Sequence, residues 1–589
     1  MVLKAKEKVM KRKLITLSSI VVMSFASLVG CSSSQKNYDP DNFLINGTED
    51  NPYRIVKDPV TIKIFAPHSA GNPNYSELEM FNYLSEITGL NFEFTTPDTS
   101  AYTNQRTGAW SSDSTIPDLF LFNNPVSELV EYAEKKYNAY VPFNDNNYSY
   151  SVNGNQVNVG NIIDNYMPNY KQGLETNFGV DKQKGDAIKT ATLSDGYMYS
   201  TLSVKDVARD LTFKMFINQK WIDNINREFG GYKGKLLPNA DEIKTIEEYL
   251  NVLRAFKELD ANLNDDANDE IPVTSKSLEY LRNFILASYG YVSSGAEIEN
   301  DNSKYTYVPY QEAYRKYLQV ARTMWDEGLM DVSTFSNKTD NQMAQNGVKN
   351  RLGSFPAAAA YLIVGYDYEE DYVTFGPLTS SYYTGTPLQW GFGYFKPDGA
   401  TIPQKSVYVR EVARLLDIMY SDLGTQLISY GVENKNWTWD NDEHTSWTFN
   451  VPSTWTGNQE QYRATITPNV GSASALYWSS SFVEKMNDKI IDSLNKMSQR
   501  YLPYLKNPEP SEIKMNAEEY SKITTIKAAL DPQLEFLEAS YIRGDNNRDP
   551  FDDNSYNDFI NTLKGYNVDE LMKCYNDSLS RYKGQLEDK

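Results

Sequence analysis

Apolar residues first accumulate over residues 14–30, directly behind Lys4, Lys6, Lys8, Lys11, Arg12 and Lys13. A basic segment followed by a short apolar one is the pattern of a secretory signal. The run of 17 residues includes several Ser and Thr, short of the roughly 20 apolar residues that span a bilayer. Cleavage is therefore expected. Residues 31–57 are rich in Ser, Asn, Asp and Pro and carry no periodicity, which predicts a flexible tether. Alternation begins at Val60, with Ile62, Ile64 and Ala66 on one side and Thr61 and Lys63 on the other, and predicts a strand. Ser76 and Glu79 have the spacing of a capping box. Met80, Leu84 and Ile87 follow at helical spacing, and Gly89 ends the helix. Residues 90–95 return to the strand pattern, giving a strand, helix, strand unit of the right-handed crossover kind.

The pattern recurs. Residues 119–122 are wholly apolar behind Pro117 and Asp118, as a buried parallel strand is, and a helix is predicted over 126–137. Thr245 and Glu248 form a second capping box ahead of Ile246, Tyr249, Leu250, Leu253 and Phe256 on one face. Tyr314, Tyr317, Leu318, Ala321, Met324 and Trp325 trace another amphipathic helix, ended by Gly328. Val409, Val412, Leu416 and Met419 trace a further one, and Asn567 with Glu570 opens the last, over 568–582. Without residues 1–30 the chain has 559 residues, more than one hydrophobic core of about 250–300 residues supports. The expected class is α/β, with two lobes of which the second is rich in helix.

The residue before the tether refines the membrane reading. Leu28, Val29, Gly30 and Cys31 resemble the bacterial lipobox, in which the Cys is acylated and becomes the new N-terminus. Several acyl chains anchor stably, whereas one holds a protein only reversibly. Cys574 is the one other cysteine, so no intramolecular disulfide is available once Cys31 is lipidated; its place in a stripe with Leu571, Tyr575 and Leu579 predicts a buried small hydrophobe. Removing residues 1–30 leaves 51 basic against 77 acidic residues and a formal charge of −26. Such a surface repels nucleic acid and disfavours, more mildly, a polyanionic ligand.

Catalytic patterns are sparse. The two histidines, His68 and His444, stand far apart and build no zinc site, and no G-x-S-x-G turn is present. Residues 230–235 look like a phosphate loop, but the spacing is wrong and Leu236 stands where Ser or Thr would bind magnesium. A carboxylate pair for glycoside hydrolysis stays open, because only its separation in space is diagnostic. Asp260, Asn262, Asn264, Asp266, Asp269 and Glu270 alternate oxygen donors behind a helix, which suits a hard cation such as Ca²⁺ in a structural role; Asp265 replaces the Gly of a full EF-hand and Ile271 stands at its twelfth position. Tyr, Phe and Trp make up 13% of the chain, and a minority of such rings facing a cleft would stack on sugar rings. Ligands of open α/β sheets sit beyond the carboxyl ends of strands. That rule points to His68, Ser69 and Asn72 after the first strand and to Asn123 and Asn124 after residues 119–122. Trp390, in a glycine-flanked run, is a further stacking candidate.

Several segments in order resemble the family 1 extracellular solute-binding proteins of carbohydrate ABC importers, in the large lipoprotein branch with alginate-binding and LplA-type members. They are Pro117-Asp118-Leu119, Asp195-Gly196-Tyr197, residues 216–221 (FINQKW), residues 246–272, Glu327-Gly328-Leu329, residues 420–424 (YSDLG), residues 430–433 (YGVE) and residues 468–478. The resemblance implies a periplasmic-binding-protein-like fold, two α/β lobes joined by crossing hinge segments, closing on an oligosaccharide and delivering it to permease subunits. It also implies calcium in the acidic loop, with one extra residue here between Asn264 and Asp269, and places Trp478 where an aromatic stacks on ligand.

The expected organisation is a signal peptide over 1–30 and a tether over 31–57. A first lobe of 58–205 and 385–465 is followed by a second of 206–384 and 466–589. The expected protein is a monomer on the outer face of the cell membrane that binds no nucleic acid and performs no covalent chemistry. Two alternatives remain: a surface-anchored glycoside hydrolase or lyase acting through a carboxylate pair, and a signalling or adhesive lipoprotein that serves no importer.

Overall fold

The computed structural model describes residues 38–69, 71–133, 139–180, 187–456, 459–468, 476–507 and 514–587. Cys31 and the signal segment lie outside them. Two separate cores organise the chain. One gathers apolar side chains from residues 38–211, 394–432 and 476, the other from residues 215–378 and 515–579.

In the first lobe, Val60–Phe65 lies between Leu90–Thr95 and Leu119–Leu121 and runs parallel to both; Ala400–Thr401 adds an antiparallel edge. The alternation read from the sequence is the cause of the register. Ile62 and Ile64 point into the core and Thr61 outward, while Leu119–Leu121 is buried throughout. Helix Glu79–Thr88 covers the sheet and stops at Gly89, whose φ of 78° is the left-handed cap that glycine adopts without strain. The capping box stands two residues earlier than expected, on Asn74 and Glu77, because a 3-10 turn over Tyr75–Glu77 precedes the helix. Of the helix expected over 126–137, Val126–Glu128 forms one turn and Leu129–Ala133 a wider π turn, and 134–137 lie outside the described residues.

The second sheet runs Tyr372–Thr374, Lys214–Asn218, Leu352–Ala357, Ile271–Val273. Leu352–Ala357 is parallel to Ile271–Val273 and antiparallel to Lys214–Asn218. Helix Ile246–Glu258 opens on the predicted Thr245–Glu248 box and buries the five predicted side chains. Helices Glu312–Asp326, Ala517–Arg543 and Val568–Glu587 complete this lobe, with Cys574 buried as expected.

Two small sheets join the lobes. Ser203–Lys205 pairs with Phe395–Lys396 and Tyr477–Trp478, and Gln389–Trp390 runs parallel to Leu505–Lys506. The chain after residue 465 therefore does not pass straight into the second lobe. Leu476 packs in the first core, residues 478–491 build an aromatic cluster with Trp437, Trp447 and Phe449, Leu494 packs on the second sheet, and Met515 starts the last helices.

The tether is shorter than the composition suggests, since residues 38–57 are folded onto the first lobe. Phe43 bridges to Val56, and Ile55 and Val56 are fully buried. Tyr38 packs edge-on against Tyr408, and its hydroxyl donates to Glu411 Oε1 at 3.3 Å. Polar composition hid a few apolar anchors. Burial pushes the Glu411 carboxyl up to about 7. The native state thus holds a proton that the unfolded chain releases near 4.5, and stability falls as pH rises from there through 7. A value near 7 in place of about 4.5 corresponds to on the order of 3 kcal/mol. Glu411→Gln is expected to melt with the parent at pH 4 and several degrees above it at pH 8, measured by scanning calorimetry; equal melting at both pH values would contradict this.

Candidate functional site

Three strands of the second sheet, Ile271–Val273, Leu352–Ala357 and Tyr372–Thr374, run the same way and deliver their following loops to one end, while Lys214–Asn218 runs against them. After Ile271–Val273 the chain turns through Thr274 and Ser275 into helix Leu278–Ala287. This helix, the middle of Ala517–Arg543, the loop 293–296 and Trp390 enclose a cavity of about 520 Å³. Trp390 is half-buried and belongs to an aromatic group. Its ring lies nearly parallel to Phe213 (centroids 6.0 Å apart, 18°), with Tyr280 at 5.6 Å and Phe392 at 5.1 Å. Gln389 holds the strand in place by donating to Thr212 Oγ1 at 2.9 Å and Phe213 O at 3.1 Å. The stacking role expected of Trp390 is thus given a position: a flat ring at the cavity edge, braced from behind.

The remaining lining mixes apolar side chains such as Leu278, Phe335 and Leu534 with polar and charged ones. Arg282 Nη1 meets Glu538 Oε2 at 3.0 Å, and Tyr317 donates to Glu538 Oε1 at 2.7 Å. Both oxygens of Glu538 are thereby engaged as acceptors, which suits a structural anion and not a general acid. The charged lining comprises acidic Glu279, Asp531, Glu535 and Glu538 and basic Arg282 and Lys527, and Asn283 and Ser293 also line the cavity. The excess of acid disfavours an anionic guest.

Two buried networks hold the walls. The Glu297 carboxylate, fully buried, accepts from the N–H groups of Val292 and Ser293 at 2.9 Å and pairs with Lys506 at 2.7 Å. Burial raises this carboxyl, and Lys506 opposes the shift. On the other side, Lys338 Nζ donates to Thr274 Oγ1 (2.8 Å) and Ser333 Oγ (2.6 Å) and reaches Asp331 at 3.2 Å, fixing the loop that carries Phe335 and Asn337 to the cavity. Fixed walls cost a ligand less ordering entropy on binding.

The other sequence-derived positions fare differently. His68 Nε2 donates to the carbonyls of Asn72 (3.0 Å) and Pro73 (3.1 Å), so this nitrogen closes its own loop, with Asn72 on the rim. Asn123 is half-buried in a left-handed turn (φ 50°). Asn124 is buried; it donates to Asp398 O at 3.2 Å and accepts from Thr401, a staple between strand ends. Trp478, implied as a stacking ring, is 2% exposed and covered by Tyr430, Arg463 and Arg209, so no open face is offered in this conformation. Its indole N–H has no hydrogen-bond partner.

The acidic loop wraps on itself. Asp260 accepts from the N–H groups of Asn264 and Asp265, and Asn262 and Asn264 accept from those of Asn264 and Asp266. The side-chain amides of Asn262 and Asn264 donate to Asp269 at 3.0 Å each, and Arg351 also binds Asp269, at 2.9 Å. Glu270 is buried, accepts from Ala261 N through Oε1, and keeps Oε2 unpartnered. Burial raises its carboxyl. Hard oxygen donors and a buried unpartnered carboxylate oxygen suit a divalent cation. Among the described residues, no three carboxylate, imidazole or thiolate side chains converge as a metal cluster, so any such site draws on the two Asn carbonyl oxygens as well.

Arg282, Asn283, Lys527 and Asp531 escaped the sequence reading because about 250 residues separate the two helices that bring them together. The legible signal was a buried polar pair, Arg282–Asn283, on an otherwise apolar helix face.

No family model matches the chain. Over 585 residues, 96% of this chain and 97% of the relative, it is 22% identical to the fructooligosaccharide ABC transporter substrate-binding protein FusA of Streptococcus pneumoniae serotype 4. FusA has been solved with kestose and, as an EF-hand mutant, with fructo-nystose; each structure matches at TM-score 0.67 and 19% identity, covering 89% of this chain and all of FusA's. An extracellular solute-binding protein of Bifidobacterium longum subsp. infantis matches at TM-score 0.70 and 17% identity, covering 91% of this chain and 99% of its own. Alginate-binding protein AlgQ2, crystallised without calcium ion, matches at 0.64 and 16%, covering 90% and 100%. The two-lobed α/β fold is that of the extracellular solute-binding proteins, as the ordered segments implied. No helix among the described residues is long and apolar enough to cross a membrane.

Proposed function

We propose that this chain is a non-catalytic, lipid-anchored extracellular binding protein that captures a neutral oligosaccharide beside the strands joining its lobes and delivers it to the permease of an ABC importer. One observation carries the reading: the braced Trp390 ring stands at the edge of a cavity whose charged lining has more acid than base. A pyranose or furanose ring buries its apolar face on the indole while Asn283, Ser293 and the charged lining bond its hydroxyls. His68, Asn72 and Asn123, beyond the strand ends of the first lobe, would complete the site when the lobes hinge shut. Trp478 would join them if closure or ligand shifts Arg463 from its face.

Anchoring at Cys31 would place the body close to the bilayer. Seven residue steps separate Cys31 from the packed Tyr38, a reach of at most about 25 Å. Calcium, held by Asp260, Asn262, Asn264, Asp269 and Glu270 with Asp266 or a carbonyl, would neutralise the loop and fix the start of Ile271–Val273, and with it one wall of the cavity. The hydrolase and lyase alternatives would need a carboxylate pair among Glu279, Asp531 and Glu535, because both oxygens of Glu538 are engaged.

The test is calorimetric titration of the mature protein with neutral and uronate oligosaccharides, followed by chromatography of the recovered sugar. Binding of a neutral member, its recovery intact, and a loss of at least about tenfold in affinity for Trp390→Ala are expected. Shortened sugars, or preference for the uronate series, would overturn the proposal. For the loop, chelator is expected to lower the melting temperature and added Ca²⁺ to restore it; indifference to both would remove the metal from the account.

A further inference from the structure

Away from the joining strands, the lobes also meet at a buried ammonium group. Lys514 stands just ahead of helix Ala517–Arg543 in the second lobe, next to the core residue Met515, and is 3% exposed. Its Nζ donates to Lys189 O at 2.6 Å and also to Thr192 O, both at the end of helix Ala187–Ala191. That helix packs Ala187 and Ala191 into the core of the first lobe. The lysine is braced from behind by the C-terminal helix. Arg581 donates to Lys514 O at 3.2 Å and is paired with Glu519, and the Tyr582 ring lies 5.4 Å from Nζ. The same long helix carries Lys527, Asp531 and Glu538 to the cavity and approaches Leu129–Ala133 of the first lobe.

We propose that Lys514 is a positioning residue for capture, a latch that pins the cavity-bearing helix of the second lobe to the first. A buried ammonium must keep its hydrogen bonds, and here two of its acceptors belong to the other lobe. Separating the lobes exchanges these two charge-assisted hydrogen bonds for bonds to water, and the net advantage of the bonds within the protein favours the approached arrangement. The inference deepens the capture reading by naming one residue that sets the balance between open and closed forms.

Small-angle X-ray scattering of the ligand-free protein tests it. Lys514→Met keeps the apolar stem and removes the charge and its donors; a radius of gyration larger by about 1 Å is expected from hinge opening, with far-UV circular dichroism unchanged and Lys514→Arg restoring the parent profile. Superimposable scattering of Lys514→Met and parent would overturn the proposal. If Lys514→Met does not fold, Lys514→Gln is read in its place: it removes the charge while keeping a polar end at the buried position, and it must move the scattering in the same direction, an unchanged profile again overturning the proposal. No sugar is present, so this result is independent of whether the protein binds any oligosaccharide.

Discussion

The molecule depends on how backbone hydrogen bonds are satisfied where the chain leaves one hydrophobic core for the other. A lone strand crossing between lobes, buried as Ser203, Val204, Gln389 and Trp478 are, would leave N–H and C=O groups with neither water nor a partner. Pairing the crossings removes that cost. Ser203–Lys205 is flanked by Phe395–Lys396 and Tyr477–Trp478, and Gln389–Trp390 lies along Leu505–Lys506. Short paired strands also bend more readily than either packed lobe. The lobes can therefore move as bodies while the joint keeps its register.

The cavity lies where that joint meets the second lobe, and the same side chains serve both. Lys506 belongs to a crossing strand, yet its partner Glu297 holds the loop that walls the cavity. Trp390 belongs to the other strand of that pair and forms the cavity's aromatic edge. On the proposed reading, a displacement of the joint would be felt at the site, and ligand and hinge would be coupled through shared residues, as a population shift on binding requires.

Local pattern made much of this legible in the sequence. The strand at Val60–Phe65, the Thr245–Glu248 box and the glycine stops at Gly89 and Gly328 follow from alternation, capping chemistry and left-handed φ, all short-range effects. Tyr38, Ile55 and Val56 were missed because three apolar anchors in a polar run leave no period. The site was legible only in part: Trp390 could be singled out, but its brace of Phe213 and Tyr280 and the facing Arg282–Glu538 pair come from distant segments. The strand-end rule pointed to loops of the first lobe and could not tell that Asn124 is spent on Asp398 and Thr401. Trp478 illustrates the limit of resemblance, because its neighbours, not its place in the sequence, decide whether a face is open.

The most direct measurement is a crystal structure of the mature protein grown with the neutral oligosaccharide that binds it most tightly in titration. The account predicts an unbroken sugar with one ring against Trp390 and hydroxyls bonded to side chains of both lobes. A sugar seated on one lobe alone, away from Trp390, or present only as fragments, would contradict it.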